Sequence, residues 1–333
     1  MRAAVFEAHG APLAVQQLAD PEPAADGVVI RVGRCGICGS DLHMAEEPEF
    51  GACPGDVFGH EFAGEVVEAG RGTQRLSKGD LVSVVPLASC GHCPSCLAGE
   101  PAWCPQMRLQ GGGYAEYAAV SERQCTLLPG TASLADGAIV EPLAVALHGA
   151  VIGDVRPGDR VLILGAGPIG LATAFWARRM GAARVAVQDI ARHQEARAME
   201  MGATHFLCDP EAPVAASDRA LGGKADIVFD CAGVPQLVAQ SVEQVRVKGR
   251  IVMLGLCTRA ASFVPFRAVS KEAAILTAAF FKRQEYEAAL DVLSAGAVEP
   301  RALVSQTVSL AEVPETFRAL KSRTGQCKVL IAP

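Results

Sequence analysis

The sequence predicts an α/β chain of two domains, one a barrel-like set of short strands and the other a doubly wound parallel sheet. Three observations carry that reading. The first half alternates strand-like pieces with Gly/Pro turns, the rhythm of antiparallel strands. The second half alternates short aliphatic runs with helical patterns, the rhythm of a parallel sheet with crossover helices. The length of 333 residues, half of them apolar and 34 of them glycine, provides for two cores.

Composition narrows the function. A net charge of −6 without any basic run argues against a polyanion-binding surface, so no nucleic-acid partner is expected. There is no charged-then-apolar leader and no unbroken apolar run near 18 residues, so no membrane role is expected and the chain reads as soluble and cytoplasmic. Twelve cysteines in such a chain point to metal or buried thiols rather than disulfides.

From Met1, the pieces RAAVF and VVIRV flank the turn at Ala25-Asp26-Gly27 and read as antiparallel strands. Chemistry begins at Cys35-Gly36-Ile37-Cys38-Gly39-Ser40-Asp41-Leu42-His43, followed by Gly59-His60-Glu61. Cys38 and His60 supply two donors that zinc favours, where a catalytic site needs three and an open position. A redox pair at Cys35 and Cys38 would normally precede a helix in a thioredoxin-like pattern, which is absent. Next come Cys90, Cys93, Cys96 and Cys104. Four thiolates at this spacing close a tetrahedral shell with no open position, a structural zinc, and leave His92 as a spacer. Gly111-Gly112-Gly113-Tyr114 reads as a glycine turn into another strand. In Glu141-Pro142-Leu143, Pro142 suits the first turn of a helix, which would make Glu141 its cap. The residues alone favour that cap slightly over a third zinc ligand.

The stretch 160–180 puts a strand before Gly165-Ala166-Gly167-Pro168-Ile169-Gly170 and a helical pattern after it. This is the dinucleotide fingerprint in its proper context: Gly165 for the turn, Gly167 for approach to a pyrophosphate, Gly170 for close helix packing. A second strand ends in Asp189, 19 residues past Gly170. Its carboxylate suits a ribose diol and repels a 2′-phosphate, favouring NAD over NADP; Arg192 nearby weakens that preference. Four further strands follow, with cofactor contacts expected at strand ends such as Cys231-Ala232 and Leu254-Gly255-Leu256.

Together, CGICGSDLH at 35–43, GHEFAGEVVEAG at 59–70, the four-cysteine lobe at 90–104, EPLAVALHG at 141–149 and GAGPIG at 165–170 resemble the zinc-dependent medium-chain dehydrogenase/reductase superfamily, nearest its polyol, threonine and butanediol group. The resemblance runs essentially end to end. It implies a GroES-like β-rich catalytic domain over 1–149 and 284–333, and a Rossmann domain over 150–283. It implies two zinc ions per chain, the catalytic one on Cys38, His60 and Glu141, which reverses the cap reading. Glu61 becomes a nearby acid or alternate ligand, Ser40 and His43 a proton relay, and Lys328 a contact to the cofactor pyrophosphate. The implied activity is hydride transfer between a secondary alcohol or polyol and NAD in a homo-oligomer, dimer or tetramer. A zinc-free quinone or enoyl reductase of this fold, or a non-catalytic NAD-binding relative, would lack the ligand set. One departure is the short stretch 105–110, where relatives carry a longer pocket-lining segment, so a relative's substrate does not transfer.

Overall fold

The computed structural model describes residues 1–322 and 325–333. Among them the chain forms two compact units. The first comprises Met1–Glu141, Lys282–Ala297 and Val304–Pro333; the second comprises Pro142–Phe281 and Val298–Leu303. The first division of the compact units falls at Glu141/Pro142. The reason is local: the helix Leu134–Ile152 is one continuous element that contributes to both units.

In the first unit, the sheet runs Val304–Ser309, Lys328–Ala332, Gly27–Gly36, Glu61–Ala69, Leu81–Val84, Cys125–Leu127, with Tyr117–Ser121 also pairing Gly27–Gly36. All these pairings are antiparallel except Val304–Ser309 with Lys328–Ala332. Alternation places Val28, Ile30 and Val32 beside Phe58, Phe62, Tyr114 and Phe317 in one core. The long strand Gly27–Gly36 ends at the cysteine-rich turn. Its Gly36 pairs with Glu61, and Leu330 pairs with Gly36. Three strand ends therefore meet where the chemistry-bearing residues lie.

The second unit holds six parallel strands in the spatial order His205–Leu207, Arg184–Gln188, Arg160–Leu164, Ala225–Asp230, Val245–Met253, Ala274–Thr277. Counted along the chain this order is 3-2-1-4-5-6, the doubly wound arrangement. Strand order reverses between Arg160–Leu164 and Ala225–Asp230, so the crevice for a ligand opens beyond Leu164 and Asp230.

The helix Leu134–Ile152 corrects one sequence expectation. Its start is capped by Ser133, whose N–H and hydroxyl donate to Asp136 Oδ2 while Asp136 N–H returns a bond to Ser133 Oγ. Pro142 consequently lies inside the helix and Glu141 is no cap. This helix is long and apolar enough to cross a membrane by length and composition alone, yet 78% of its most apolar window is buried in the protein. Interrupted by Asp136, Glu141 and His148 and apolar on all other sides, it is a core helix.

Candidate active site

Beyond the strand Gly27–Gly36 the chain turns at Cys38, extended at φ −103°, and enters the helix Gly39–Glu46. Asp41 sits in its first turn, and its Oδ2 accepts the Cys38 N–H at 3.0 Å and the Tyr114 hydroxyl at 2.6 Å. The other oxygen, Oδ1, lies 3.2 Å from His60 Nδ1. His60 is thereby held with Nε2 turned away from Asp41, 3.5 Å from Ser40 Oγ. Burial alone would lower the His60 imidazolium, but the Asp41 charge and hydrogen bond hold it well above the ordinary histidine value. Burial likewise works against the Asp41 charge, while His60, Tyr114 and the Cys38 N–H keep its carboxyl below the usual range.

Cys38, His60 and Glu61 each place one donor atom within 4.8 Å of the others. Glu61 is 1% exposed and faces Lys328, whose Nζ donates to Oε1 at 2.7 Å and to the Ile37 carbonyl at 3.1 Å. Burial opposes the Lys328 charge, and Glu61, then Cys38, hold it up. The register of Lys328–Ala332 against Gly27–Gly36 turns Lys328 toward Glu61, where its ammonium is buried and already bonded.

Glu141 is buried nearby but stands outside that mutual donor set among the described residues. Burial first, then the charge of Glu61, push its carboxyl up to about 7, against the pull of His60 and Lys328. These residues fit a zinc ion. Thiolate, imidazole and carboxylate are its usual donors, and Cys38, His60 and Glu61 bring one of each together, with the Glu61 carboxylate also paired to the Lys328 ammonium at 2.7 Å. Ser40 and His43, the residues expected to form a proton relay, share one helix at i, i+3. Ser40 contacts His60, and His43 pairs with Glu47 at 2.7 Å and stacks on Phe50.

Cys90, Cys93, Cys96 and Cys104 form a second set within 4.8 Å. Cys90 Sγ and Cys96 Sγ are 3.9 Å apart, against about 3.8 Å for the edge of a tetrahedron with Zn–S of ~2.3 Å. The backbone N–H groups of Cys90 and Gln106 point at Cys104 Sγ, and such donors offset the charge of four thiolates. The His92 N–H is the largest influence pulling the Cys90 thiol down to about 6. His92 itself is turned to the Cys90 carbonyl, 2.9 Å away.

In the second unit, Gly165 adopts φ +102° and the helix Pro168–Arg179 starts on Gly167. A Cβ on Gly170 would lie 1.9 Å from the Gly165 carbonyl oxygen, so glycine alone allows this approach. Ile169 and Pro168 occupy the first helical turn, where free N–H groups and the dipole favour an anion. Asp189 Oδ2 accepts the Ala166 N–H at 2.8 Å, and Oδ1 accepts the Ile190 N–H at 2.6 Å. Asp189 thus braces the glycine turn from the neighbouring strand. Arg192 is exposed and paired with Glu195 at 3.0 Å, and Leu256 is half exposed. Sequence reasoning missed Asp41 and Tyr114. Asp41 was readable as the third residue past Cys38, a capping position; Tyr114 carries no such local signal.

Comparison with known proteins agrees with this layout. Residues 24–130 match the model of the alcohol dehydrogenase GroES-like domain, and residues 168–295 match that of the zinc-binding dehydrogenase. The zinc-type alcohol dehydrogenase-like protein YdjJ of Escherichia coli K12 is 33% identical, over 89% of this chain and 88% of the relative. The (R,R)-butanediol dehydrogenase of Bacillus subtilis 168 is 30% identical, over 96% of each chain. A Sinorhizobium meliloti 1021 structure described as a zinc-binding dehydrogenase bound to NADP superposes with a TM-score of 0.91 at 34% identity, over 100% of this chain and 99% of that one.

Proposed function

This chain belongs to the zinc-type medium-chain alcohol dehydrogenase family, the enzymes that interconvert alcohols and ketones, and we propose that it oxidises a secondary alcohol or polyol with NAD at a zinc site built on Cys38 and His60. The observation that carries this reading is the convergence of Cys38, His60 and Glu61 beside the Asp41–His60 pair. The third ligand is Glu141. Glu61 is already committed to Lys328, whereas the Glu141 charge, disfavoured by burial and by Glu61, is the one a cation would stabilise most. When bound, zinc supplies a Lewis acid for the substrate oxygen and the dinucleotide supplies the hydride acceptor.

The protein's own residues do the rest. Asp41 orients His60, and Ser40 lies where it can take the substrate hydroxyl proton. Ser40 would give up its own proton in turn through the ribose hydroxyls of the bound cofactor to His43, half exposed on the same helix and paired with Glu47, which would pass a proton to solvent. The helix Pro168–Arg179 offers its N-terminus to the pyrophosphate. Asp189 favours NAD, since a 2′-phosphate would meet a carboxylate that braces the turn itself. The four-cysteine lobe holds a second, structural zinc.

A cytoplasmic homo-oligomer completes the proposal. The open edge strand Ala274–Thr277 with exposed Ile275, and exposed Val264, Phe266 and Val269 in the same unit, support pairing with a second copy. The test is a panel of secondary alcohols and polyols assayed by NADH absorbance with NAD and NADP, alongside zinc per chain and mass by light scattering. Alcohol-dependent NADH formation, about two zinc ions per chain and a mass above one chain are expected. Equal or better turnover with NADP would refute the role given to Asp189.

A further inference from the structure

The turn Gly111-Gly112-Gly113-Tyr114 takes no part in the chemistry described so far, yet it is built around the paired residues Asp41 and His60. It runs beside the segment that leads into His60. Gly112 N–H donates to the Val57 carbonyl at 2.9 Å, Gly113 N–H to Gly59 at 2.9 Å, and Tyr114 N–H to Phe58 at 3.0 Å. Gly59, at φ +88°, lies flat against the Tyr114 ring, and a Cβ there would stand 2.4 Å from a ring carbon. Tyr114 is fully buried.

A buried side chain of this size needs a partner for its hydroxyl, and here the partner is Asp41 Oδ2 at 2.6 Å. The same oxygen takes the Cys38 N–H, which leaves Oδ1 to face His60 Nδ1 at 3.2 Å. A carboxylate 1% exposed needs such donors on its oxygens. With two of them fixed on Oδ2, rotation of the carboxylate is blocked. Oδ1, with no hydrogen bond of its own among the described residues but 3.2 Å from Nδ1, then favours by its charge the His60 tautomer that carries its proton on Nδ1 and keeps a lone pair on Nε2. Partners of this kind set both the direction and the basicity of a metal-bound imidazole.

We propose that Tyr114 is a positioning residue of the catalytic metal site: its hydroxyl locks Asp41, and Asp41 aims His60 Nε2 at the ion. The proposal rests on the metal site assigned to Cys38 and His60 above. It gives the tyrosine hydroxyl a duty separate from the packing of its ring.

Tyr114→Phe keeps the ring on Gly59 and removes only the donor. In the full chain loaded with Zn²⁺ or Co²⁺, chelator competition should find the metal of the Cys38 site bound about tenfold more weakly. The four-cysteine metal should be held as before, which also reports that the variant is folded. The visible Co²⁺ bands of the Cys38 site should shift. Asp41→Asn should weaken that metal at least as much, and the double variant should bind it no more weakly than Asp41→Asn alone, because one contact transmits both effects. Unchanged affinity and spectrum in Tyr114→Phe, or losses that add in the double variant, would overturn the proposal while leaving the site intact. If Cys38→Ser and His60→Ala release no metal, the site reading itself falls and the role of Tyr114 falls with it.

Discussion

Glu141 is the residue on which local and tertiary information pull furthest apart. Its sequence neighbour Pro142 marks it as a helix cap, but Ser133 and Asp136 start the helix two turns earlier. Glu141 is therefore a buried mid-helix carboxylate beside Glu61 and His60. If Glu141 is the third zinc ligand, as proposed, Glu141→Gln should lose catalytic zinc or bind it weakly, because a neutral amide is a poorer donor. Dehydrogenase activity should drop by ~10²-fold or more, as expected when a charge-stabilising group is removed, while the four-cysteine zinc remains. Zinc per chain and turnover read both effects. Full zinc retention in Glu141→Gln, with loss in Glu61→Gln, would transfer the ligand role to Glu61. Asp41 belongs to the same scale. Cys38 and His60 were visible as donors by type and spacing, but the acid that orients the imidazole was hidden among helix-forming residues.

At the scale of elements, the parallel sheet is tied at the beginnings of its central strands. Asp226 Oδ2 accepts the Arg160 N–H at 2.8 Å, and the carboxylate pairs with the guanidinium groups of Arg160 and Arg246. Three consecutive strands of the sheet are joined by this one side chain. Burial would raise the Asp226 carboxyl, but the bonds from Arg246 and Arg160 hold it below the ordinary value. A depressed carboxyl contributes stability that is complete above the unfolded value of ~3.9 and lost as pH falls through the folded one. Asp226→Asn should accordingly lower stability by about 1 kcal/mol at pH 7, after allowance for solvent screening of a partly exposed pair. The gap to wild type should begin to narrow only once pH falls below the unfolded value of ~3.9. Urea midpoints above and below that value measure it; a gap that stays constant with pH would show that the charge is irrelevant. The strands themselves were legible, since aliphatic runs between glycines have few alternatives. The start of the helix Leu134–Ile152 was misplaced because Pro142 is a stronger local signal than the Ser133–Asp136 pair.

For the whole molecule, the zinc proposed for the four-cysteine lobe would link metal and fold. Its loop is held to the helix Arg283–Ser294 by the Arg283 N–H on the Gly99 carbonyl at 2.8 Å and by Lys282 on Glu100 at 2.7 Å. Cys93→Ser should remove one zinc per chain and lower the melting temperature by several degrees, because structural zinc binding is coupled to folding. Metal analysis with a thermal melt checks it, and unchanged metal content would show that Cys93 is not a ligand. The sequence by itself determined the strand and helix types, the four-thiolate lobe, the glycine turn with Asp189, and the donors Cys38 and His60. Each of these is a matter of residue type at short spacing, which local sterics and coordination chemistry read directly. Only the tertiary structure decided that Lys328 pairs with Glu61, that Tyr114 and Asp41 stand behind His60, and that Glu61 joins Cys38 and His60 in one set of donors within 4.8 Å. Tyr114 and Asp41 are 73 residues apart in the chain, and Lys328 and Glu61 are 267 apart. Strand register and burial bring them together, and no spacing rule spans that distance.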